Sequence, residues 1–392
     1  MTMKLMSATA FISLLCACSQ PKTQEVFTVS GLNPADFDTT YVDQLKGEKS
    51  VSLYTLKNAN GMEVCITNFG GRIVSIMVPD KNGEMKDVVL GFDTADKYFP
   101  QNNQSDFGAA IGRYANRIAQ GIITIEGEEI QLPQNNFGHC LHGGPTGWQY
   151  QVYDVEQADE QSITLKMVSP DSDNNFPGEL TAFVTYTLTE DNAIEISYKA
   201  TTDKTTVINM TNHSYFNLSG DPNNTVADEI IQINADYYTP TDKTYMTTGE
   251  IKPVEGTSFD FREARRLGDN FGEEDPEIAA AGGGYDHNWC LNAKGDASQI
   301  AITLKDPRSG IVLDVYTNEP GIQVYTGNFL DGKAIGKNGI VYNKQAAICL
   351  ESQKYPDSPN KCGLAGWENS NCWLNPGETY ESYCKFKFSV EK

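Results

Sequence analysis

Basic side chains are scarce in this chain. Thirty lysines and arginines stand against 52 aspartates and glutamates, a formal net charge of −22. Such an excess repels phosphate backbones and anionic head groups, which excludes nucleic acid as a partner. Long apolar runs are also lacking: past the first residues none approaches the ~20 that a membrane helix needs. The nine cysteines show no paired spacing such as C-x-x-C, so structural zinc is not expected. There is no glycine-rich dinucleotide fingerprint, no fixed-period repeat, and hardly any capped helical periodicity beyond short stretches near Asp93 to Phe99 and Phe261 to Leu267.

The first residues read as a processing signal. Lys4 precedes an apolar run, Met6 to Ala17, that is too short to cross a bilayer. The run ends in Leu15-Cys16-Ala17-Cys18, which resembles a bacterial lipoprotein box and makes Cys18 the acylated first residue of the mature chain. Cys16 matches that box imperfectly, and an ordinary secretory signal is the alternative. Both readings export the protein. The lipoprotein reading anchors it by lipid to a bacterial membrane in the cell envelope, facing periplasm or exterior. On this reading residues 1–17 are the signal, 18–46 a polar tether, and 47–392 one domain. Cys362 and Cys372 bracket a loop and suit either a disulfide or two separate thiols.

Short alternating segments fill the domain. In Thr181 to Thr189 the even positions Ala182, Val184, Tyr186 and Leu188 are apolar and the odd ones mostly threonine. The same beat runs through Ile194, Ile196 and Tyr198, through Ile300, Ile302 and Leu304, and through Cys384, Phe386, Phe388 and Val390. This period marks half-buried antiparallel strands. Turn residues separate them, as at Asn82-Gly83, Glu126-Gly127 and Asp191-Asn192. The fold class is therefore all-β, with large antiparallel sheets packed face to face as a β-sandwich.

Only four histidines occur: His139, His142, His213 and His287. His139 and His142 form a lone H-x-x-H without a second cluster, so no metal site is expected. His142 precedes Gly143-Gly144, which suits a tight turn as well as a ligand. His213 closes an apolar run, where a satisfied core histidine is the ordinary outcome. Glu351 ends the apolar segment Ala346 to Leu350, so its carboxylate is poised in a cleft or faces solvent. Asp286 follows Gly282-Gly283-Gly284-Tyr285 beside further aromatics, a composition that suits sugar hydroxyls and sugar C–H faces.

Six motifs in order carry a resemblance: Gly112-Arg113-Tyr114-Ala115-Asn116-Arg117-Ile118-Ala119, Leu141-His142-Gly143-Gly144, Thr211-Asn212-His213-Ser214-Tyr215-Phe216-Asn217-Leu218, Tyr285-Asp286-His287-Asn288, Gln323-Val324-Tyr325-Thr326-Gly327-Asn328 and Leu350-Glu351-Ser352-Gln353. From about Val51 to Val390 the chain resembles the aldose 1-epimerase (galactose mutarotase) family. The resemblance implies a β-sandwich of the galactose mutarotase type, an isomerase acting on free aldohexoses such as galactose and glucose, and no cofactor. It also implies that Glu351 is the general base and His213 the general acid. Asn116, Arg117, His142, Tyr215, Asp286 and Gln323 then match sugar-contacting positions. The segment Lys361 to Trp373 departs from the family pattern and leaves the preferred sugar open.

Three rival readings remain at this level. A non-catalytic carbohydrate-binding sandwich would use the same aromatics and amides. A glycoside hydrolase would pair Asp286 with Glu351 as its two carboxylates. A hexose-phosphate epimerase of related fold would need a cationic pocket.

Overall fold

Period-two burial runs through the strands that the sequence marks out. The computed structural model describes residues 27–391 apart from 44, 45 and 104. Leu180–Leu188 buries every even residue, and Ala193–Thr202 and Tyr380–Val390 bury Ile194, Ile196, Tyr198, Phe386 and Phe388 on one face. These strands form the centre of a nine-stranded antiparallel sheet that continues through Ile311–Thr317 and Ile300–Lys305. Ile300 breaks the expected beat. The register shifts between Ile300 and Ile302, a bulge that leaves Ile300 exposed and buries Ala301 instead.

A second sheet of six strands positions the site. Its order is Tyr215–Phe216, Ile348–Gln353, Gly321–Tyr325, Asp286–Cys290, Tyr237–Thr239 and Lys252–Pro253, all antiparallel. Successive side chains point to opposite faces. Ile348, Leu350, Ile322, Val324 and Trp289 therefore share one face and join the inner residues of the large sheet in a single core cluster. Each large side chain so buried contributes about 1.5–3 kcal/mol, which fixes the register of the strands. The opposite face carries Glu351, Gln323, Asp286 and Asn288.

Turn chemistry acts as expected at Glu126-Gly127. Both residues have positive φ, 52° and 85°, in a two-residue hairpin between Ile122–Ile125 and Glu128–Gln131. Of the helical candidates, the first holds only a 3₁₀ turn, Asp96–Tyr98. The second, Phe261 to Leu267, is not helical: it contains the short strand Arg265–Arg266 and leads into the 3₁₀ turn Leu267–Asn270. Pairing with Ile230–Ile233 supplies backbone partners that a short isolated helix would lack.

The tether reading of residues 18–46 needs correction where the chain is described. Leu32 and Phe37 are buried in an aromatic cluster with Phe69, Phe99 and Tyr215. Thr39–Asp43 pairs with Gly47–Val51, and the Tyr41 ring lies 4.9 Å from Phe69 and 4.7 Å from Phe99. Low average hydrophobicity misled because a few well-spaced large residues suffice to dock a polar segment. The expected signal over 1–17 and Cys18 lie outside the described residues. Cys362 and Cys372 carry free thiols, Cys372 buried beside Tyr114. Among the described residues no helix is long and apolar enough to cross a membrane.

Candidate active site

Cross-strand register assembles the polar face. Glu351 stands opposite Gln323, and Gln323 opposite Asn288. On the other side Tyr215 pairs with Cys349, and His213, two residues before Tyr215, comes level with Glu351. His213 is itself held by Thr211–His213 pairing with Ala109–Ile111. The His213 Nε2 and Glu351 Oε1 atoms are 3.5 Å apart, with only 4 % and 2 % of the residues exposed. Glu351 Oε2 and His213 Nδ1 have no hydrogen-bond partner among the described residues. A buried acid and base thus meet with capacity left for a ligand.

Burial pushes the Glu351 carboxyl up to about 7; the neighbouring His213 opposes this, and Asp286 and Asp106 add to it. A carboxylate so raised titrates near neutrality, where a general base works best. The His213 ring stacks on Tyr215 at 5.2 Å and 26° and meets His142 edge-on at 5.2 Å.

His142 is neutral. Burial first, then His213 and Arg117, hold it well below the usual imidazole range. Its Nδ1 accepts the Asn116 backbone N–H at 3.1 Å, so the ring proton sits on Nε2 as a donor. The turn behind it requires glycine: at Gly143, with φ 79°, a Cβ would lie 2.3 Å from the Gly112 carbonyl oxygen. Asn116, with φ 63°, accepts the Arg117 N–H on Oδ1 at 2.8 Å.

The far side of the cleft is a second polar group. Gln323 donates to Asp286 Oδ1 at 2.7 Å, and its own Oε1 has no partner among the described residues. Arg117 Nη1 is 3.9 Å from Asp286 Oδ2, Nε donates to Asn136 at 3.1 Å, and the guanidinium lies 5.1 Å from the Tyr245 ring centre. Such a carboxylate, amide and guanidinium set can accept from and donate to vicinal hydroxyls.

The structure brings together all eight expected residues, Glu351, His213, Asn116, Arg117, His142, Tyr215, Asp286 and Gln323. The other two histidines stand apart. His139 bridges Gln120 N–H and Thr244 Oγ1, while His287 points to the core face, fully buried against Phe259. Sequence reasoning missed Asp106. Its carboxylate and the His142 and His213 rings place their ligating atoms within 4.8 Å of one another, a grouping that could also hold a metal ion. Nothing in the short polar stretch around Asp106 marks it; only its position just before Ala109–Ile111, the partner of His213, does.

The sequence pattern of the aldose 1-epimerase family matches residues 52–387, which include every residue of the cleft. The chain is 41% identical over 352 residues to galactose mutarotase of Mus musculus, covering 90% of this chain and 98% of that one. It is 38% identical to aldose 1-epimerase of Escherichia coli (strain K12), over 86% and 95% of the two chains. The crystal structure of a GalM/aldose epimerase homologue from C. elegans superposes with a TM-score of 0.79 at 30% identity, covering 87% of this chain and all of that one. With the family pattern matching most of the chain and relatives about 40% identical covered almost entirely, the chain belongs to the aldose 1-epimerase family.

Proposed function

We propose that Glu351 and His213 are the base and acid that open and close a bound aldose, and that Asn116, Arg117, His142, Tyr215, Asp286 and Gln323 hold it. The protein is an aldose 1-epimerase, an isomerase that exchanges the α and β anomers of its sugar. Galactose and glucose are the proposed substrates; a relative's name gives galactose and another gives aldoses as a class.

The chemistry follows from the hemiacetal. Ionised Glu351 takes the proton from the anomeric hydroxyl, whose electron pair forms the carbonyl as the C1–ring-oxygen bond breaks. Protonated His213 delivers a proton to the departing ring oxygen. Rotation about C1–C2 presents the other carbonyl face, and the reverse transfers close the ring. Both oxygens are bonded to the same carbon, so their acid and base must be close neighbours. The 3.5 Å approach of His213 to Glu351 is the observation that carries this reading. Each proton transfer contributes about 10²- to 10⁴-fold. Only protons and electron pairs within the substrate move, so no redox partner is required.

Asp286, anchored by Gln323 and Arg117, suits a hydroxyl acceptor better than the proton donor a glycoside hydrolase needs. Polarimetry on a freshly dissolved single anomer tests the proposal. Wild-type protein should speed the drift to equilibrium, and Glu351→Gln should bind the sugar without doing so; a wild-type protein that leaves the spontaneous rate unchanged would sink it.

The leader supports a second proposal, that Cys18 is acylated and the enzyme works in the cell envelope, attached to a membrane through lipid. Metabolic labelling with an alkyne fatty acid should mark the full-length protein and not Cys18→Ser. Equal labelling of both would refute the anchor. The net charge of −22 supports the absence of a nucleic-acid partner.

A further inference from the structure

A buried aspartate outside the cleft grips the strand that carries Arg117. Asp357 is fully buried and takes no part in the proton transfers. Its backbone N–H donates to the Arg117 carbonyl oxygen at 2.8 Å, and its Oδ1 accepts the Ala119 N–H, also at 2.8 Å. One residue thus closes two bonds on Arg117-Ile118-Ala119, one through its main chain and one through its side chain. Oδ1 accepts the Asn360 amide as well, at 2.7 Å, and Oδ2 pairs with Lys361. Asp357 holds left-handed backbone, φ 67°, just before the short helix Ser358–Lys361. Aspartate tolerates that region because its short side chain can bond locally; most side chains do not. The chain reaches Asp357 directly from the strand Ile348–Gln353, which carries Glu351. The clip therefore fixes the spacing between the strand of the general base and the strand of Arg117.

The same segment also supports the cover of Arg117. The Pro356 carbonyl accepts the Thr247 hydroxyl at 3.0 Å, and Lys361 Nζ lies 4.0 Å from Met246 Sδ. Thr247 bridges back to Thr241, so the loop between them rests on Pro356 and Lys361. That loop carries Tyr245, whose ring centre lies 5.1 Å from the guanidinium. Arg117 is thereby held at both ends, its main chain by Asp357 and its head group between Tyr245 and Asp286.

The place of the guanidinium depends on both holds. Its Nη1 is 3.9 Å from Asp286 Oδ2, at the outer edge of an ion pair, and its Nε donates to Asn136. A long, rotatable side chain joins these contacts to the backbone, so a strand that shifts draws the head group off its partners. Misplacing a group by about 1 Å can cost about 10²-fold. We propose that Asp357 is a positioning residue: by clipping the backbone of Arg117 it sets where the guanidinium meets the non-reacting hydroxyls of the sugar. It touches no substrate and acts through Arg117. This rests on the reading of Arg117 as a sugar-holding residue.

Two substitutions break the clip from opposite sides. Asp357→Ala removes the acceptor, and Ala119→Pro removes the N–H it accepts while leaving Asp357 in place. A proline ring suits position 119, because Ile118 before it is extended (φ −115°, ψ 123°) and Ala119 opens a 3₁₀ turn. Polarimetry on α-galactose with the full chain should show KM raised about fivefold or more in each variant, with kcat within about threefold of wild type. Asp357→Asn keeps an acceptor oxygen and tolerates the backbone, so its KM should return to within about threefold of wild type. Arg117, with His213, Asp286 and Asp106, surrounds the Glu351 carboxyl and helps to hold it down. The acidic limb of the pH–rate profile should therefore move to higher pH in Asp357→Ala and Ala119→Pro. Arg117→Ala should raise KM at least as much, and Ala119→Pro added to it should change KM by less than about twofold. An additive double variant, or a KM raised in Arg117→Ala but unchanged in both clip variants, overturns the positioning role alone. If Asp357→Ala does not fold, Ala119→Pro decides. A wild-type KM in Arg117→Ala overturns the sugar-holding reading of Arg117 and the role of Asp357 with it.

Discussion

Two buried histidines of this protein each stand near a glutamate, His287 within the six-stranded sheet and His213 on a separate strand beside that sheet's polar face. His213 Nε2 is 3.5 Å from Glu351, and His287 Nε2 is 3.9 Å from Glu277. The first pair lies on the polar face, with His213 Nδ1 and Glu351 Oε2 lacking a partner among the described residues. The second is sealed: His287 Nδ1 accepts the Asp286 N–H at 3.2 Å, Phe259 meets the ring at 4.7 Å, and burial pushes the imidazole down to about 4. His287 is therefore neutral and structural. What separates a reactive histidine from a structural one here is strand parity. Asp286 and His287 are adjacent in sequence, yet one faces the cleft and the other the core.

The sharpest way to break the comparison is at Glu351. Glu351→Gln should lower kcat by about 10²- to 10⁴-fold in polarimetry while calorimetry still detects sugar binding. The same variant should be more stable than wild type above neutral pH. Glu351 is raised in the folded state, so its favourable neutral form is fully present below the usual carboxylate range and lost as pH rises through about 7. Denaturant midpoints at pH 5 and pH 8 check this, and a stability gap that does not widen toward pH 8 contradicts it. His213→Asn should cost about 10²-fold or more in kcat and abolish or move the basic limb of the pH–rate profile. An unchanged limb would assign the acid elsewhere.

His287→Ala should do the reverse. It should cost about 2–4 kcal/mol of stability, as other large-to-small core changes do, while kcat of the folded protein stays within about threefold of wild type. A catalytic loss matching that of His213→Asn would erase the distinction between the two histidines. The smallest effect is expected at Asp106. Its charge helps to raise Glu351, so Asp106→Asn should move the acidic limb of the rate profile to lower pH. A limb that stays put, or moves up, would show that the carboxylate does not act on Glu351.

Much of the architecture was legible in the chain. The alternation of Ala182, Val184, Tyr186 and Leu188 against threonine could only be a half-buried strand, and Glu126-Gly127 could only be a tight turn of its hairpin. Elsewhere local pattern was overruled. Arg265 and Arg266 became a strand because Ile230 and Ile231 lay alongside, and Leu32 and Phe37 docked because an aromatic cluster was there to receive them. The motifs named the cleft residues through their resemblance to a family, yet Asp106 and Tyr245 went unmarked because nothing near them in sequence reports which side chains they will meet.

The order of residues by itself determined the strand periodicity, the turn positions, the strong negative charge and the apolar run that ends at Glu351, since each depends on neighbours along the chain. Tertiary structure decided that Glu351 faces His213, that Asp286 is held by Gln323 and Arg117, and that His287 turns inward. Those outcomes depend on cross-strand register and on burial. Both are set by which faces pack together, and that is a property of the folded sheets and of no single segment.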